Sequence, residues 1–115
     1  MEINPIIKYK ILSQKIFRGK ILSESMEPVV KKDEEIVVEV KAANLQRFDI
    51  IVFEDGNKFI CHYVWSVNKM IEPKLIQTRS MSGIKDFPFK EEHYIGKVIS
   101  HKLSFWQRIK ILLFN

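Results

Sequence analysis

Hydrophobic and polar residues alternate with a period of two along most of this chain, which is typical of β-strands that bury one face. Six segments show this alternation or a β-branched apolar run that favours a strand. They are residues 16–23, 36–40, 49–53, 58–67, 75–78 and 94–99. Residues 54–57, Glu-Asp-Gly-Asn, place Asp-Gly between two of these segments and predict a hairpin turn. The pattern therefore predicts a mainly β protein.

Short helices are predicted at both ends of this β region. Asn4 can cap the first free amides and Pro5 is tolerated at the first helical position, which predicts a helix within residues 1–14. Ser104 can cap a second helix within residues 103–114. Apolar residues fall at helical spacing on one face of that helix, namely Phe105, Trp106, Ile109, Leu112 and Leu113. This face either lies on a membrane interface or packs against the β region, and the pattern leaves both interpretations open.

Length and composition favour a single domain without bound metal. The chain has 115 residues and no repeat or low-complexity segment, so we predict one domain over residues 1–115. Its β core would span residues 15–100 and form a small β-barrel or a folded sheet. Cys61 is the only cysteine, which excludes an internal disulfide framework and a multi-cysteine zinc site. The three histidines have no metal-ligand spacing, so we expect neither a metal nor a cofactor.

The net charge of +5 is concentrated at the two ends of the chain. Residues 1–20 hold five basic residues and one acid, and residues 97–115 hold four basic residues and no acid. A nucleic-acid-binding domain would carry a basic stripe within its fold, so no nucleic acid is expected as a partner. The basic, apolar ends fit an anionic membrane surface or an acidic partner, unless the lysines only keep the ends soluble.

Neither a membrane span nor a secretory signal is expected. No apolar run approaches the ~18 residues that cross a bilayer. Charge and proline interrupt the segment Met-Glu-Ile-Asn-Pro-Ile-Ile-Lys before an apolar core could form. We therefore expect a cytoplasmic protein. If it associates with a membrane, we expect peripheral contact through its basic, apolar ends.

Residues 23–28, Ser-Glu-Ser-Met-Glu-Pro, carry the most specific candidate chemistry. In a strand, residues two apart face the same side, so the hydroxyls of Ser23 and Ser25 would face one pocket. A serine nucleophile needs a base that accepts its proton and donors for the oxyanion that develops on the attacked carbonyl. The alternative is that the two serines only end a strand ahead of a proline turn.

This segment resembles the nucleophile box Ser-Gly-Ser-Met-x-Pro of type I signal peptidases, whose clan also includes the self-cleaving SOS repressors. Further blocks follow in the family's order. They are residues 29–38, similar to Thr-Ile-x-x-Gly-Asp-x-Val-x-Val, residues 47–53, similar to Arg-Gly-Asp-Ile-Val-Val-Phe, residues 60–64, similar to Val-x-His-Arg-Val, and residues 95–98, Ile-Gly-Lys-Val. The resemblance runs from about Ile16 to Ile99 and implies the small β fold of this clan.

The resemblance also implies a role for each matching residue. Ser25 would be the nucleophile and His62 the general base, as in the histidine version of the family found in endoplasmic-reticulum and sporulation-type signal peptidases. The Ser23 hydroxyl and the Ser25 amide would form the oxyanion hole, and Met26 and Pro28 would bind substrate. Imidazole suits this role because its unperturbed pKa of about 6.5 lets it accept a proton at neutral pH.

A histidine base usually needs a third group that holds its tautomer. The family supplies an aspartate from a Gly-Asp-Asn-x-x-x-Asp box, and residues 78–86 stand at the matching place. The leading Gly-Asp is replaced by Ser80-Met81, so the later acid, Asp86, is the candidate. The alternative is that residues 86–88 form a plain turn.

Other positions depart from the family pattern. Asp33 and Phe48 stand in place of glycines, which predicts that two tight turns are built differently. Glu24 replaces the glycine beside the nucleophile, and a carboxylate close to His62 would raise the pKa of that base. Tyr63 replaces the usual arginine. Cys61 is adjacent to His62 in a predicted strand, so it is expected to face the opposite side as a small buried hydrophobe.

These observations predict a serine endopeptidase that cleaves a precursor, leader or signal-type peptide. The resemblance implies an extended substrate with small side chains such as Ala before the cleaved bond, bound as an added β-strand. The alternative from a different class is a catalytically inactive peptidase-fold module that binds a peptide or a membrane surface. A Ser25 hydroxyl within hydrogen-bond reach of a His62 ring nitrogen would favour the enzyme.

Overall fold

The structure, a computed structural model, describes residues 5–114, so the predicted cap Asn4 lies outside the described residues. Elements follow one another in chain order as α1 (Pro5–Leu12), β1 (Ile16–Lys20), β2 (Glu35–Val40), β3 (Ile50–Asp55), β4 (Lys58–Asn68), β5 (Leu75–Arg79), β6 (Phe89–Lys90), β7 (Tyr94–Val98) and α2 (Phe105–Phe114). A short 3₁₀ turn, Glu91–His93, connects β6 to β7.

All strands within the described residues pair antiparallel in one sheet, in the order β1-β2-β7-β3-β4-β5-β6. The mainly β class with two short helices is therefore confirmed. The sheet is not closed, because β1 and β6 form its two edges. Strand β6 was not predicted: it has two residues, too few to show an alternating pattern, and pairs with Leu75 and Ile76 of β5.

Two apolar clusters cover the two faces of the sheet, because neighbouring residues of a strand point to opposite sides. In β3, Ile50 and Val52 belong to the larger cluster, whereas Ile51 belongs to the smaller one. Both helices pack on the larger cluster, through Ile11 of α1 and Ile111 of α2. Burial of these side chains fixes the helices against one face of the sheet.

The segment that follows β1 forms turns instead of the extended strand predicted to residue 23. Strand β1 ends at Lys20, and the amide of Val30 donates to the carbonyl of Met26 over 3.0 Å. Both apolar side chains, Met26 and Val30, are fully buried in the larger cluster. The chain has to leave the sheet edge to bury them, which is why the strand stops before the serines.

The two positions where glycine was expected both lie in the left-handed backbone region, with φ of 68° at Asp33 and 77° at Phe48. The expectation that these turns are built differently is therefore corrected: each keeps the conformation that glycine favours and adds a side chain to it. The Phe48 ring is buried in the larger cluster, and this burial offsets the backbone strain. Asp33 is exposed and has no such compensation.

Ser104 caps α2 as predicted. Its hydroxyl accepts a hydrogen bond from the amide of Gln107 over 3.2 Å, and its own amide donates to the Gln107 side-chain carbonyl over 2.7 Å. This reciprocal pair satisfies two amides that the first turn of the helix leaves free. Neither α1 nor α2, nor any other helix within residues 5–114, has the length and apolar content needed to cross a bilayer.

Candidate active site

His62 and Asp86, which are 24 residues apart in the chain, meet on the face of the sheet that carries the smaller cluster. Nδ1 of His62 lies 2.5 Å from Oδ2 of Asp86. The imidazole lies on β4 opposite Ile51, is 8% exposed, and contacts the ring of Phe53 edge-on. A plain turn at residues 86–88 does not require this contact, so the structure favours the interpretation of Asp86 as a partner of the histidine.

Thr78 holds the carboxylate of Asp86 in place. Its hydroxyl donates to the same Oδ2 atom over 2.6 Å, and the Asp86 amide donates to the Thr78 carbonyl over 3.0 Å. Sequence analysis did not single out Thr78. A signal was present, because Thr78 shares a face of β5 with Ile76, and a hydroxyl at such an inward position needs a hydrogen-bond partner.

A tight loop at residues 79–85 positions Asp86. The amide of Ser80 donates to the Ile84 carbonyl over 3.0 Å, and the Ser80 hydroxyl accepts from the Ile84 amide over 3.1 Å. Gly83, with φ of 92°, supplies the backbone conformation that the reversal needs. The Ser80-Met81 pair that replaces the Gly-Asp of the signal-peptidase pattern therefore belongs to the turn that positions the remaining acid.

Ser23 and Ser25 lie side by side, although they are in a turn-rich segment and not in a strand. Their hydroxyl oxygens are 3.0 Å apart. The Ser25 amide points to the Ser23 oxygen over 3.5 Å, a long and therefore weak hydrogen bond. The predicted strand geometry is thus wrong, although both serines line one cavity as predicted.

The loop that carries Ser25 is tied to the loop that positions Asp86. The amide of Met81 donates to the backbone carbonyl of Ser25 over 2.9 Å. Ser23, Ser25 and His62 all line one cavity of about 440 Å³. His62 and Asp86 line a second cavity, of about 330 Å³, which the serines do not line. His62 is thus the residue that the two cavities share.

Among the described residues, no hydrogen bond joins Ser25 to His62. The Ser25 hydroxyl pairs with Ser23, and the hydrogen bond of His62 to Asp86 uses Nδ1. A carboxylate at this distance holds the imidazole proton on Nδ1, which leaves Nε2 with a lone pair that can accept a proton. Ser25 is half-buried, and a rotation about χ1 would be needed to release its hydroxyl from Ser23.

Met26 and Pro28, assigned to substrate binding, occupy different environments. Met26 is completely buried in the larger cluster, so that assignment is corrected: its side chain supports the serine loop from within the core. Pro28 is exposed on the same loop. The apolar surface of the cavity comes from other side chains, including Phe17, Leu22, Ile36, Val52 and Phe59.

Cys61, the neighbour of His62, and Glu24, the neighbour of Ser25, take no part in the chemistry of the candidate site. Cys61 is buried in the larger cluster, on the face opposite to His62, and burial raises the pKa of its thiol to about 12. A thiol with this pKa stays protonated at neutral pH and is a poor nucleophile. Glu24 is exposed, and no ion pair or hydrogen bond within residues 5–114 joins its side chain to His62.

The described residues contain no group of three or more His, Cys, Asp or Glu side chains that could hold a metal ion. A larger cavity of about 780 Å³ lies between the loop at residues 41–45 and the segment at 69–74, and none of the candidate site residues lines it.

Comparison with known proteins gives no match: no family model, no curated protein and no solved structure is significantly similar to this chain. The resemblance to signal peptidases thus depends on the sequence blocks quoted above, and the geometry of the site provides an independent argument about function.

Proposed function

We propose that this protein is a serine endopeptidase in which Ser25 is the nucleophile, His62 the general base and Asp86 the group that orients the base. The observations that carry this proposal are the 2.5 Å contact between Nδ1 of His62 and Oδ2 of Asp86 and the cavity of about 440 Å³ that both Ser25 and His62 line. A carboxylate placed behind an imidazole in this way supplies a base for a serine hydroxyl. The signal-peptidase resemblance supports the same roles.

In the proposed reaction, Ser25 first rotates from Ser23 toward Nε2 of His62. His62 accepts the hydroxyl proton while Oγ forms a bond to the substrate carbonyl carbon. Collapse of the tetrahedral intermediate breaks the C–N bond, and the imidazolium returns the proton to the leaving amine. A water molecule, deprotonated by His62, then hydrolyses the acyl group on Ser25 by the reverse route.

The proposed oxyanion hole consists of the Ser23 hydroxyl and the Ser25 amide. These two donors lie close together, since the Ser25 nitrogen is 3.5 Å from the Ser23 oxygen. The weak bond between them costs little to break, so both can turn to a developing oxyanion. Removal of either donor would raise the barrier to acyl transfer.

The proposed substrate is an extended leader or signal-type peptide. Strand β1 is an edge of the sheet and leads directly into the loop that carries Ser23 and Ser25. An extended peptide can pair with such an edge through backbone hydrogen bonds, while side-chain pockets select its sequence. Small residues before the scissile bond are expected from the family resemblance.

Cleavage of leader peptides by matched variants tests the proposal. Wild type should cut, whereas Ser25→Ala and His62→Ala should lose about 10³-fold or more in kcat. His93→Ala is the matched control for the base, because His93 also contacts a carboxylate, Glu54, but lies outside the site. Equal cleavage by wild type and Ser25→Ala would reject Ser25 as the nucleophile.

A second candidate function is a catalytically inactive module that binds peptides. The observation that favours it is the pairing of the Ser25 hydroxyl with Ser23, and not with His62. Such a module would bind leader peptides with equal affinity in wild type and in His62→Ala, and would release no product. Binding without product release in the same assay would favour this candidate.

A further inference from the structure

The outer face of α2 exposes a continuous apolar stripe. Phe105, Trp106, Leu112 and Leu113 are 54–76% exposed. At 3.6 residues per turn, positions 105, 106, 109, 112 and 113 fall on one side of the helix. Four large exposed apolar residues on one helix form a patch that a solvent-facing helix normally lacks.

The opposite side of α2 is the one that docks on the protein. Ile111, which projects roughly 160° from the middle of the stripe, is 3% exposed and belongs to the larger cluster. On the same side, Arg108 bonds the Leu103 carbonyl over 3.2 Å and lies over the Phe48 ring. Because this side of the helix packs against the protein, the apolar stripe faces outward.

The segment that contains this helix is basic, although acids from elsewhere in the chain pair with two of its residues: Asp49 with Lys97 and Glu34 with His101. Residues 97–114 contain four basic residues and no acid. Lys102 and Lys110 are exposed. A patch that combines apolar side chains with the exposed charges of Lys102 and Lys110 is complementary to a surface that combines an apolar interior with negative charge.

We propose that α2 docks on an anionic lipid surface. The helix lies in the plane of the membrane, its stripe enters the boundary between headgroups and acyl chains, and Lys102 and Lys110 contact anionic headgroups. Trp106 and Phe105 suit this boundary because aromatic rings concentrate at membrane interfaces. A second copy of this chain is the less suitable occupant, since two identical basic helices repel each other.

Attachment through α2 is independent of the proposed peptidase activity, because none of the residues assigned to the site lies on this helix. Of the two interpretations that the sequence pattern left open, packing of the stripe at 105–113 against the β region is wrong, because Ile111 on the other side of the helix makes the contact with the larger cluster.

Flotation of the full chain with lipid vesicles tests this inference. The probe is vesicles of phosphatidylcholine with about one quarter phosphatidylglycerol, compared with vesicles of phosphatidylcholine alone. Wild type is expected to float with the anionic vesicles and to dissociate as ionic strength rises to about 1 M, where charges are screened within about 3 Å. The Trp106→Gln/Leu113→Gln variant should bind at least about tenfold more weakly.

Met70→Gln is the matched control, because Met70 is 95% exposed but lies in the connection after β4. It should bind as wild type does, and circular dichroism should show that all variants remain folded. Equal binding of wild type and the α2 variant, or equal binding to neutral and anionic vesicles, would overturn the inference. So would a wild-type dimer in sedimentation equilibrium that the α2 substitutions convert to a monomer.

Discussion

His62 and Asp86 share a hydrogen bond of 2.5 Å, and Thr78 donates to the same carboxylate oxygen over 2.6 Å. One oxygen of the carboxylate thus accepts hydrogen bonds from two side chains. These side chains lie on β4 and β5, which pair with each other in the sheet. Because β4 and β5 fix His62 and Thr78, the position of Asp86 is determined by the sheet and not by its own loop alone.

The first prediction concerns Asp86→Asn. An amide favours the wrong imidazole tautomer, because its NH₂ group can donate to Nδ1 and thereby move the imidazole proton to Nε2. If the proposed function is correct, kcat should fall by about 10³- to 10⁴-fold with little change in KM. Asp55→Asn, at an exposed acid that ends β3, is the control. An unchanged kcat would show that Asp86 does not position the base.

Ser23→Ala should lower kcat by about 10²- to 10³-fold, because it removes one of the two proposed oxyanion donors. Ser23→Thr keeps a hydroxyl and should retain much of the activity. Steady-state kinetics on the same leader peptide would measure both variants. If Ser23→Ala and Ser23→Thr behave alike, the hydroxyl of Ser23 is not a donor to the oxyanion.

Cys61 should resist alkylation in the folded protein. Burial raises the pKa of its thiol to about 12, so almost none is thiolate at pH 8, and the side chain is enclosed in the larger cluster. We expect iodoacetamide to label the native chain much more slowly than the urea-unfolded chain, in which the pKa returns to about 8.5. Intact-mass measurement gives both rates. Rapid native labelling would contradict the burial of this thiol.

Asp33→Gly and Phe48→Gly should change stability in opposite directions. Both remove a side chain from a residue with positive φ, which relieves about 1 kcal/mol of backbone strain. At exposed Asp33, this should raise the free energy of unfolding by about 0.5 kcal/mol after the entropy of glycine is counted. At buried Phe48, the lost packing should lower it by about 3 kcal/mol. Urea denaturation measures both, and an Asp33→Gly variant less stable than wild type would contradict the strain argument.

Glu54 should make the stability of the protein depend on pH. Burial raises the pKa of its carboxyl, but hydrogen bonds and charges from Lys8 and His93 outweigh burial and hold the pKa below its usual value. A carboxyl with a lower pKa in the folded state stabilises the protein above the unfolded pKa of about 4.3, and this stabilisation is lost as pH falls through the folded value.

Glu54→Gln should therefore lower the free energy of unfolding at pH 7 by about 1 kcal/mol, since Lys8 remains partly exposed and solvent screens the pair. The difference from wild type should shrink as pH drops below about 4. Glu27→Gln, at an exposed position, is the control. A difference that stays constant from pH 7 to acid would rule out the ionised carboxylate as its source.

The local sequence pattern was sufficient to predict the elements that depend on near neighbours in the chain. The strand periodicity of residues 36–40 and 58–67, the Asp-Gly hairpin and the Ser104 cap involve contacts within a few positions, and the structure bears them out. That Ser23 and Ser25 face one cavity was also predicted, although through the wrong backbone geometry.

The remaining features depend on which distant segments the sheet brings together. Periodicity cannot show that Asp86 reaches His62 or that Thr78 holds it, because both contacts require the pairing of β4 with β5 and the closed loop between Arg79 and Lys85. Nor can it show which side of α2 is buried, since the stripe and Ile111 are both apolar. The sequence therefore predicted the mainly β class and, through the signal-peptidase resemblance, named Ser25, His62 and Asp86 as the candidate residues. The histidine–carboxylate pair and the outward stripe were decided by tertiary packing, because only packing selects among side chains that are chemically equivalent along the chain.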